Sequence, residues 1–252
     1  MKSSFTNKQR LITAAAVVLL IAAWKILSMI YRSDFILPSP GKTTVAAVKL
    51  FADEGFLKVV GTTVLRALTG FAIAGILGLG LGLLAGADPN VFALLNPFVV
   101  VIRSTPVIAF TLLALIWFSP DSMPVFIGML TMFPLIFTNV CDGIRNIDRS
   151  LIQMARFYKV SRRRIVREIY IPAITPFIIS GVSNAVGIGW RAVIVGEVLG
   201  QPLYGIGSRM QDAQMVLRVD VLIAWTFVVI FLSYCFDLII RAVERKLVKW
   251  KS

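Results

Sequence analysis

The stretch GFAIAGILGLGLGLLAG, residues 70–86, runs for seventeen positions without a charge. A helix needs about 20 mostly apolar residues to cross the hydrocarbon core of a bilayer, and the apolar run containing this stretch, residues 60–87, supplies them. Gly70, Ala74, Gly78, Gly82 and Gly86 recur every four residues and form one stripe along such a helix. Small residues in that register let backbones approach closely in lipid, where van der Waals packing takes over from the hydrophobic effect. The stretch therefore predicts a helix buried within a bundle of membrane spans.

The rest of the chain agrees. Of 252 residues, 58% are hydrophobic and only 15% charged, against about 25% charged in an average soluble domain. Mean hydropathy is +0.84. Six runs are long enough to span: 11–31, 60–87, 91–118, 124–141, 173–199 and 219–241. The expected fold is an all-α integral membrane protein, a single domain over 1–252 with six transmembrane helices. Residues 2–10 are basic and precede the first run as in a signal peptide, but no small-x-small cleavage site follows, so an uncleaved first span is expected. Lys25 near its outer end can snorkel to the headgroups.

Charge sets the expected sidedness. The net charge of +13 is divided into blocks between apolar runs, which encodes membrane topology and argues against a nucleic-acid partner. With the N-terminus inside, the inside segments hold Lys2, Lys8 and Arg10; then Arg145, Arg149, Arg156, Lys159, Arg162, Arg163, Arg164 and Arg167; then Arg241, Arg245, Lys246, Lys249 and Lys251. The outside segments mix signs, as in Arg209 and Arg218 with Asp212 and Asp220. Both termini are thus expected in the cytoplasm. Between the first two spans, segment 35–56 is expected to hold a short surface helix with Val45, Val48 and Phe51 on one face, capped by Thr43 or Thr44 after Pro38 and Pro40.

There is no histidine, and Cys141 and Cys235 form no spaced pair. No metal site, catalytic set or enzyme activity is expected on that inventory. Ionisable or polar groups inside spans are costly and are candidates for a translocation path. They are Arg103, in a third span that Pro97 and Pro106 would interrupt, and Asn184, Trp190, Arg191 and Glu197 in the fifth. Asn184 and Arg191 share one helix face and Trp190 and Glu197 another, whereas Arg191 and Glu197 are too far apart in azimuth to pair. Asp237 and Arg241 are spaced for a local pair. No proton relay of Asp, Glu and His appears, which counts against a proton-driven carrier; an ion-driven secondary transporter is the alternative reading.

The segment 142–172 is more than a topogenic loop. Ile147, Leu151, Met154, Ala155 and Tyr158 recur at helical spacing. Ser161 can cap a second helix carrying Ile165, Val166 and Ile169, with Pro172 and Pro176 leading into the fifth span. A paired amphipathic unit of this kind suits the docking of a soluble partner.

QMARFYKVSRRRIVREIYIP, residues 153–172, resembles the cytoplasmic loop of ABC importer permeases, whose pattern is Glu-Ala-Ala, three residues, Gly, nine residues, Ile, one residue, Leu-Pro. Gln153, Met154 and Ala155 stand at the Glu-Ala-Ala, Lys159 at the Gly, Ile169 at the Ile, and Ile171-Pro172 at the Leu-Pro. ILPSPGKT, RSTPVIAFTLLALIWF, GWRAVIVGEVLG and PLYGIG are similar to stretches of the nitrate, sulfonate and taurine branch, in order along the chain. The resemblance implies a permease subunit in the bacterial plasma (inner) membrane, with a coupling helix that includes Gln153, Met154, Ala155, Tyr158 and Lys159, followed by Ile169 and Pro172. It implies a second permease copy forming a homodimer in membrane lipid, two cytoplasmic ABC ATPase subunits and an external substrate-binding protein. No Gly-x-x-x-x-Gly-Lys-Ser/Thr occurs, so no cofactor is expected on this chain, with ATP and Mg on the partner ATPase. The implied substrates are small solutes such as sulfonates, taurine, nitrate, bicarbonate or thiamine precursors. Glu to Gln at 153 and Gly to Lys at 159 are departures, the second at a position suited to a left-handed turn.

Overall fold

A computed structural model of the protein describes residues 7–247, all in helices and connecting turns. Lys2, Lys249 and Lys251 of the charge pattern lie outside the described residues, as do the side chains of Lys8, Arg10, Arg245 and Lys246. The helices are α1 (Asn7–Tyr31), α2 (Pro40–Phe51), α3 (Phe56–Ala87), α4 (Pro89–Ser104), α5 (Val107–Trp117), α6 (Met123–Arg145), α7 (Arg149–Phe157), α8 (Arg162–Ile165), α9 (Ile171–Gly200), α10 (Ile206–Met215) and α11 (Val219–Leu247). Five stretches are each long and apolar enough to cross a membrane, and a sixth exists if α4 and α5 count as one broken span.

That broken span departs from the expectation of one run over 91–118. α4 and α5 are bent by 98°. Pro97 lies inside α4 without ending it, so only Pro106 breaks the segment. The difference lies in the residue before each proline. Thr105 leaves the helical region at φ −80°, ψ 131°, the extended conformation that a following proline favours, and its hydroxyl folds back onto the Val101 carbonyl at 2.7 Å.

One compact unit comprises residues 59–208 together with 230 onward. Its centre is α6, packed between α3 and α9. A Cβ added to Gly78 would stand 2.8 Å from Ile136 Cβ, and one on Gly82 would stand 3.0 Å from the Phe137 carbonyl. The small-residue stripe of α3 thus faces α6. An adjoining face of α6 meets α9 in the same way: a Cβ on Gly128 would lie 2.5 Å from Val193, and one on Gly181 2.7 Å from Asn139. Phe137, Ile136, Met132, Ile127 and Val193 fill this seam.

The other unit comprises residues up to 58 and 209–229. Trp24 of α1 donates its indole N–H to the Pro38 carbonyl at 3.0 Å and packs against Phe227, while Phe56 stacks on Trp225. The surface helix α2 forms as expected, with Val45, Val48 and Phe51 exposed. Its cap is Ser39, not Thr43 or Thr44, because Pro40 takes the first helical position, where its missing N–H costs nothing. Thr43 and Thr44 instead bond back to the Ser39 and Pro40 carbonyls.

The second amphipathic helix of the basic loop is likewise revised. Ser161 precedes α8 without a side-chain cap bond, and α8 passes through a π turn, Val166–Tyr170, directly into α9. A proline within a helix clashes with the carbonyl four residues earlier. The wider turn just ahead of Pro172 relieves that clash at the Glu168 carbonyl.

The seam generates a paired test. Gly78→Ala should lower stability by about 1–3 kcal/mol through overpacking against Ile136. Gly80→Ala, with nothing within 4 Å of its new Cβ, should be neutral or stabilising by up to about 1 kcal/mol. Thermal unfolding of the detergent-solubilised chain separates the two.

Candidate functional site

The sequence-derived candidates fall into three places in the structure. The first is α7, nine residues long and set off from the bundle by turns. Asp148 caps it by accepting the Ser150 N–H at 2.8 Å. That bond holds the Asp148 carboxyl below its ordinary range. The cap is therefore fully present above the usual carboxylate pKa of about 4 and is lost only as pH falls through the lowered value. At the other end, the Lys159 N–H bonds the Arg156 carbonyl and the Val160 N–H bonds the Ala155 carbonyl, both at 2.9 Å. This is the Schellman pattern, with Lys159 at φ 53° in the left-handed position that glycine usually occupies. A non-glycine residue there costs about 1–2 kcal/mol.

The α7 face splits in two. Ile147 and Ala155 are buried and seat the helix on its own bundle. Leu151, Met154, Phe157 and Tyr158 project outward, Phe157 at 82% and Tyr158 at 73% exposure, with Gln153 and Lys159 beside them, also exposed. Ile169 and Pro172 are half-buried on the run into α9. Phe157, one of the most exposed large side chains of this helix, was not singled out from sequence because it lies outside the five-residue periodicity.

The second place is the bend between α4 and α5. Arg103 is exposed and shares the wall of a cavity of about 170 Å³ with Thr105, Thr131 and Ile188. Ile188 lies on the exposed face of α9 that also carries Asn184 and Arg191. The structure thus brings Arg103 next to the face bearing Asn184 and Arg191, and leaves Trp190 and Glu197 elsewhere.

Glu197 is the centre of the third place, where it is 0% exposed. It accepts Arg66 Nη1 at 2.7 Å, Thr63 Oγ1 at 3.0 Å and the Gly207 N–H at 2.9 Å. Thr63 Oγ1 in turn accepts the Ile206 N–H at 2.9 Å. Ile206 and Gly207 open α10, so Thr63 and Glu197 together satisfy N–H groups that a helix start leaves without partners. The carboxylate also sits at the positive end of that helix. Arg66, 8% exposed, donates further to the Tyr204 carbonyl and, through its second amino group, to Asp121, whose side chain is 75% exposed.

This network explains the glycines of PLYGIG: a Cβ on Gly205 would stand 2.7 Å from the Glu197 carboxyl carbon, and one on Gly207 2.5 Å from the Ile194 carbonyl. Sequence reading placed Glu197 among the path candidates and expected no pair with Arg191; the cation that Glu197 meets is Arg66. It missed Arg66, Thr63 and Asp121. Arg66 carried a usable signal, as a lone cation inside an otherwise apolar span. Thr63 carried none, since serines and threonines commonly bond within their own helix.

Trp190, 2% exposed, packs on Phe236 with ring centroids 5.0 Å apart. It borders a cavity of about 450 Å³ whose other walls include Phe71, Met132, Val186 and Ile239. Among the described residues no three His, Cys, Asp or Glu side chains stand together as metal ligands. Asp237 and Arg241 form the expected local pair at 2.8 Å.

A bundle of apolar spans with a broken helix, internal polar groups and a projecting amphipathic helix defines a multi-pass membrane protein. The sequence matches the family of binding-protein-dependent transport system inner membrane components over residues 78–249, more than half of the chain, and the protein belongs to that family. The putative aliphatic sulfonates transport permease protein of Escherichia coli (strain K12) is 34% identical over 234 residues, covering 92% of this chain and 88% of the relative. The taurine transport system permease protein of the same organism is 24% identical over 239 residues, covering 92% and 86%. The fold resembles the MetNI methionine ABC transporter in an inward-facing conformation, with a TM-score of 0.55 and 18% identity over 74% of this chain and 95% of the other. The chain is a permease subunit of the ATP-binding-cassette importer class and a multi-pass inner-membrane protein, and its family implies ATPase and substrate-binding subunits as partners.

The buried pair yields a mutational cycle. Arg66→Met leaves a carboxylate in the interior without its cation and should cost about 3–5 kcal/mol. Arg66→Met combined with Glu197→Gln removes both charges while an amide oxygen can still accept from Gly207 and Thr63, so most of the loss should return. Unfolding of the single and double variants measures the difference.

Proposed function

We propose that two copies of this chain form a translocation path that opens alternately to either side of the membrane. Residues 142–172 and both termini face the cytoplasm. There two ATPase subunits, which bind ATP and Mg, grip α7. The observation that carries this reading is the projecting apolar face of α7, whose aromatic residues Phe157 and Tyr158 stand largely exposed beside each other. Aromatic anchors of that kind dominate protein–protein interfaces.

ATP-driven closure of the ATPases displaces the two α7 helices together, and the rigid α6–α9 seam transmits the displacement to the spans. An external binding protein delivers a small solute of the sulfonate, taurine, nitrate, bicarbonate or thiamine-precursor kind. Arg103, Asn184 and Arg191 face the path, where their charge favours an anion. Trp190 and Glu197 stiffen its wall. Lys159 closes α7 at a fixed angle, and Gln153, uncharged where the family pattern has Glu, matches a cleft with less positive charge.

Replacing Phe157 and Tyr158 by Ser in the chain co-expressed with its ATPases should weaken their association about thirtyfold or more, the scale of a two-residue hot spot. Transport should fall in parallel while the amount of permease in the membrane is unchanged. Retention of the ATPases on affinity purification at the original level would overturn the coupling role. Lys159→Gly should make the loop more stable, by about 1 kcal/mol, and preserve coupling, whereas Lys159→Val should impair it; ATPase activity in proteoliposomes reports both.

A further inference from the structure

The basic cluster that follows α7 is not used by the coupling reading. Arg162, Arg163, Val166, Arg167 and Ile171 line one surface groove of about 550 Å³. All five are exposed. Arg164, in the midst of them, turns aside to Glu168, its single Nε–H shared between the two carboxylate oxygens at 2.9 and 3.0 Å. That pairing occupies the nearest carboxylate. No carboxylate among the described residues pairs with Arg162, Arg163 or Arg167.

The groove depends on the π turn. In an unbroken α-helix, residues 162 and 171 would lie about 180° apart around the axis. The wider turn at Val166–Tyr170, closed by the Ile171 N–H on the Val166 carbonyl, carries Ile171 round to the side of Arg162 and Arg163. The result is three guanidinium groups beside two exposed branched apolar side chains. This lies where the charged loop passes into the apolar run of α9, a boundary whose paired cations and apolar side chains suit the depth at which headgroups meet hydrocarbon.

We propose that this groove binds an anionic phospholipid, its phosphate held by Arg162, Arg163 and Arg167 and the first carbons of its chain laid along Val166 and Ile171. Guanidinium groups match phosphate oxygens in bidentate geometry. An acidic protein surface would meet the three charges equally well, but it would leave Val166 and Ile171 facing water or a polar partner. A lipid is the occupant that satisfies both halves of the groove. The leaflet follows from the sidedness proposed above; the binding chemistry does not depend on it. A bound lipid at this position fixes the end of the coupling loop nearest the membrane, so that α7 moves with α9 and not against it.

The test uses the full chain in nanodiscs of phosphatidylcholine with a minor fraction of phosphatidylglycerol, with bound lipid counted by native mass spectrometry after detergent extraction. Anionic lipid retention is expected on the unaltered chain and should fall roughly a hundredfold in Arg162→Gln/Arg163→Gln/Arg167→Gln, at about fivefold per cation near a membrane surface. Arg149→Gln/Arg156→Gln/Lys159→Gln, with the same loss of charge, should retain the lipid. Val166→Asp should release it with all three arginines in place. Equal loss in both triple variants would reduce the effect to net charge and overturn the site. So would displacement by soluble glycerol phosphate at matched concentration, which would mark a free-anion site. Unchanged lipid retention together with loss of the co-expressed ATPase would assign the groove to that protein. Thiol labelling of Ser161→Cys from either side of the membrane reports sidedness separately, so inverted topology would sink the proposed orientation and leave the lipid count standing.

Discussion

The close approach of three helix backbones is the constraint on which the rest of the structure depends. Apolar side chains gain nothing by leaving lipid for protein, so α3, α6 and α9 are held by contact density and not by exclusion of water. Glycines at 78, 82, 128 and 181 remove the side chains that would keep the axes apart. Ile136, Phe137 and Val193 then reach across to the opposing backbone. A seam of this kind is stiff, because an interior packed to crystal-like density does not deform smoothly. α7 follows the C-terminal end of α6 after a short turn, and stiffness in the seam is what the coupling role proposed for α7 requires.

A buried charge network closes the opposite end of the same seam. Asp121 precedes the start of α6, Arg66 lies in the first turns of α3, and Glu197 in the last turn of α9. One guanidinium joins all three. Removing a carboxylate from water carries a penalty of several kcal/mol, which is offset only if every lone pair finds a donor. Glu197 meets that condition through Arg66, Thr63 and the start of α10. The network therefore specifies one arrangement of the connecting turns more than it adds to stability, and the glycines of PLYGIG are the geometric condition for it.

Between these ends the chain breaks its helices at defined points. Pro106 bends the third span by 98°, and a π turn ahead of Pro172 rotates the entry of α9. In lipid a broken backbone is tolerated only where protein or a cavity covers it. Arg103 and Thr105 line such a cavity at the first break. The second break lies where the basic loop passes into the apolar run of α9.

Much of this was legible in the sequence. Apolar run length marked every long helix, the four-residue register of Gly70 to Gly86 predicted the face that α6 covers, and the pattern of 153–172 predicted α7, its left-handed end at Lys159 and the family. These features are readable because each depends on residues within a few turns of one another: hydrophobic length, helical periodicity and a cap are local properties. What only the tertiary structure decided is the partner of each buried group and the site of each break. Arg66 and Glu197 are 131 residues apart, and nothing local to either names the other. Pro97 and Pro106 look alike in the sequence, and the structure shows which of them ends a helix: the residue before Pro106, Thr105, turns extended, whereas Pro97 stays inside α4. Ile171 joins Arg162 through one turn wider than an α turn, just ahead of Pro172. The sequence by itself determined what kind of molecule this is; which polar groups meet inside it was set by three-dimensional proximity, because the cost of burying a charge can be met only by a partner brought from elsewhere in the chain.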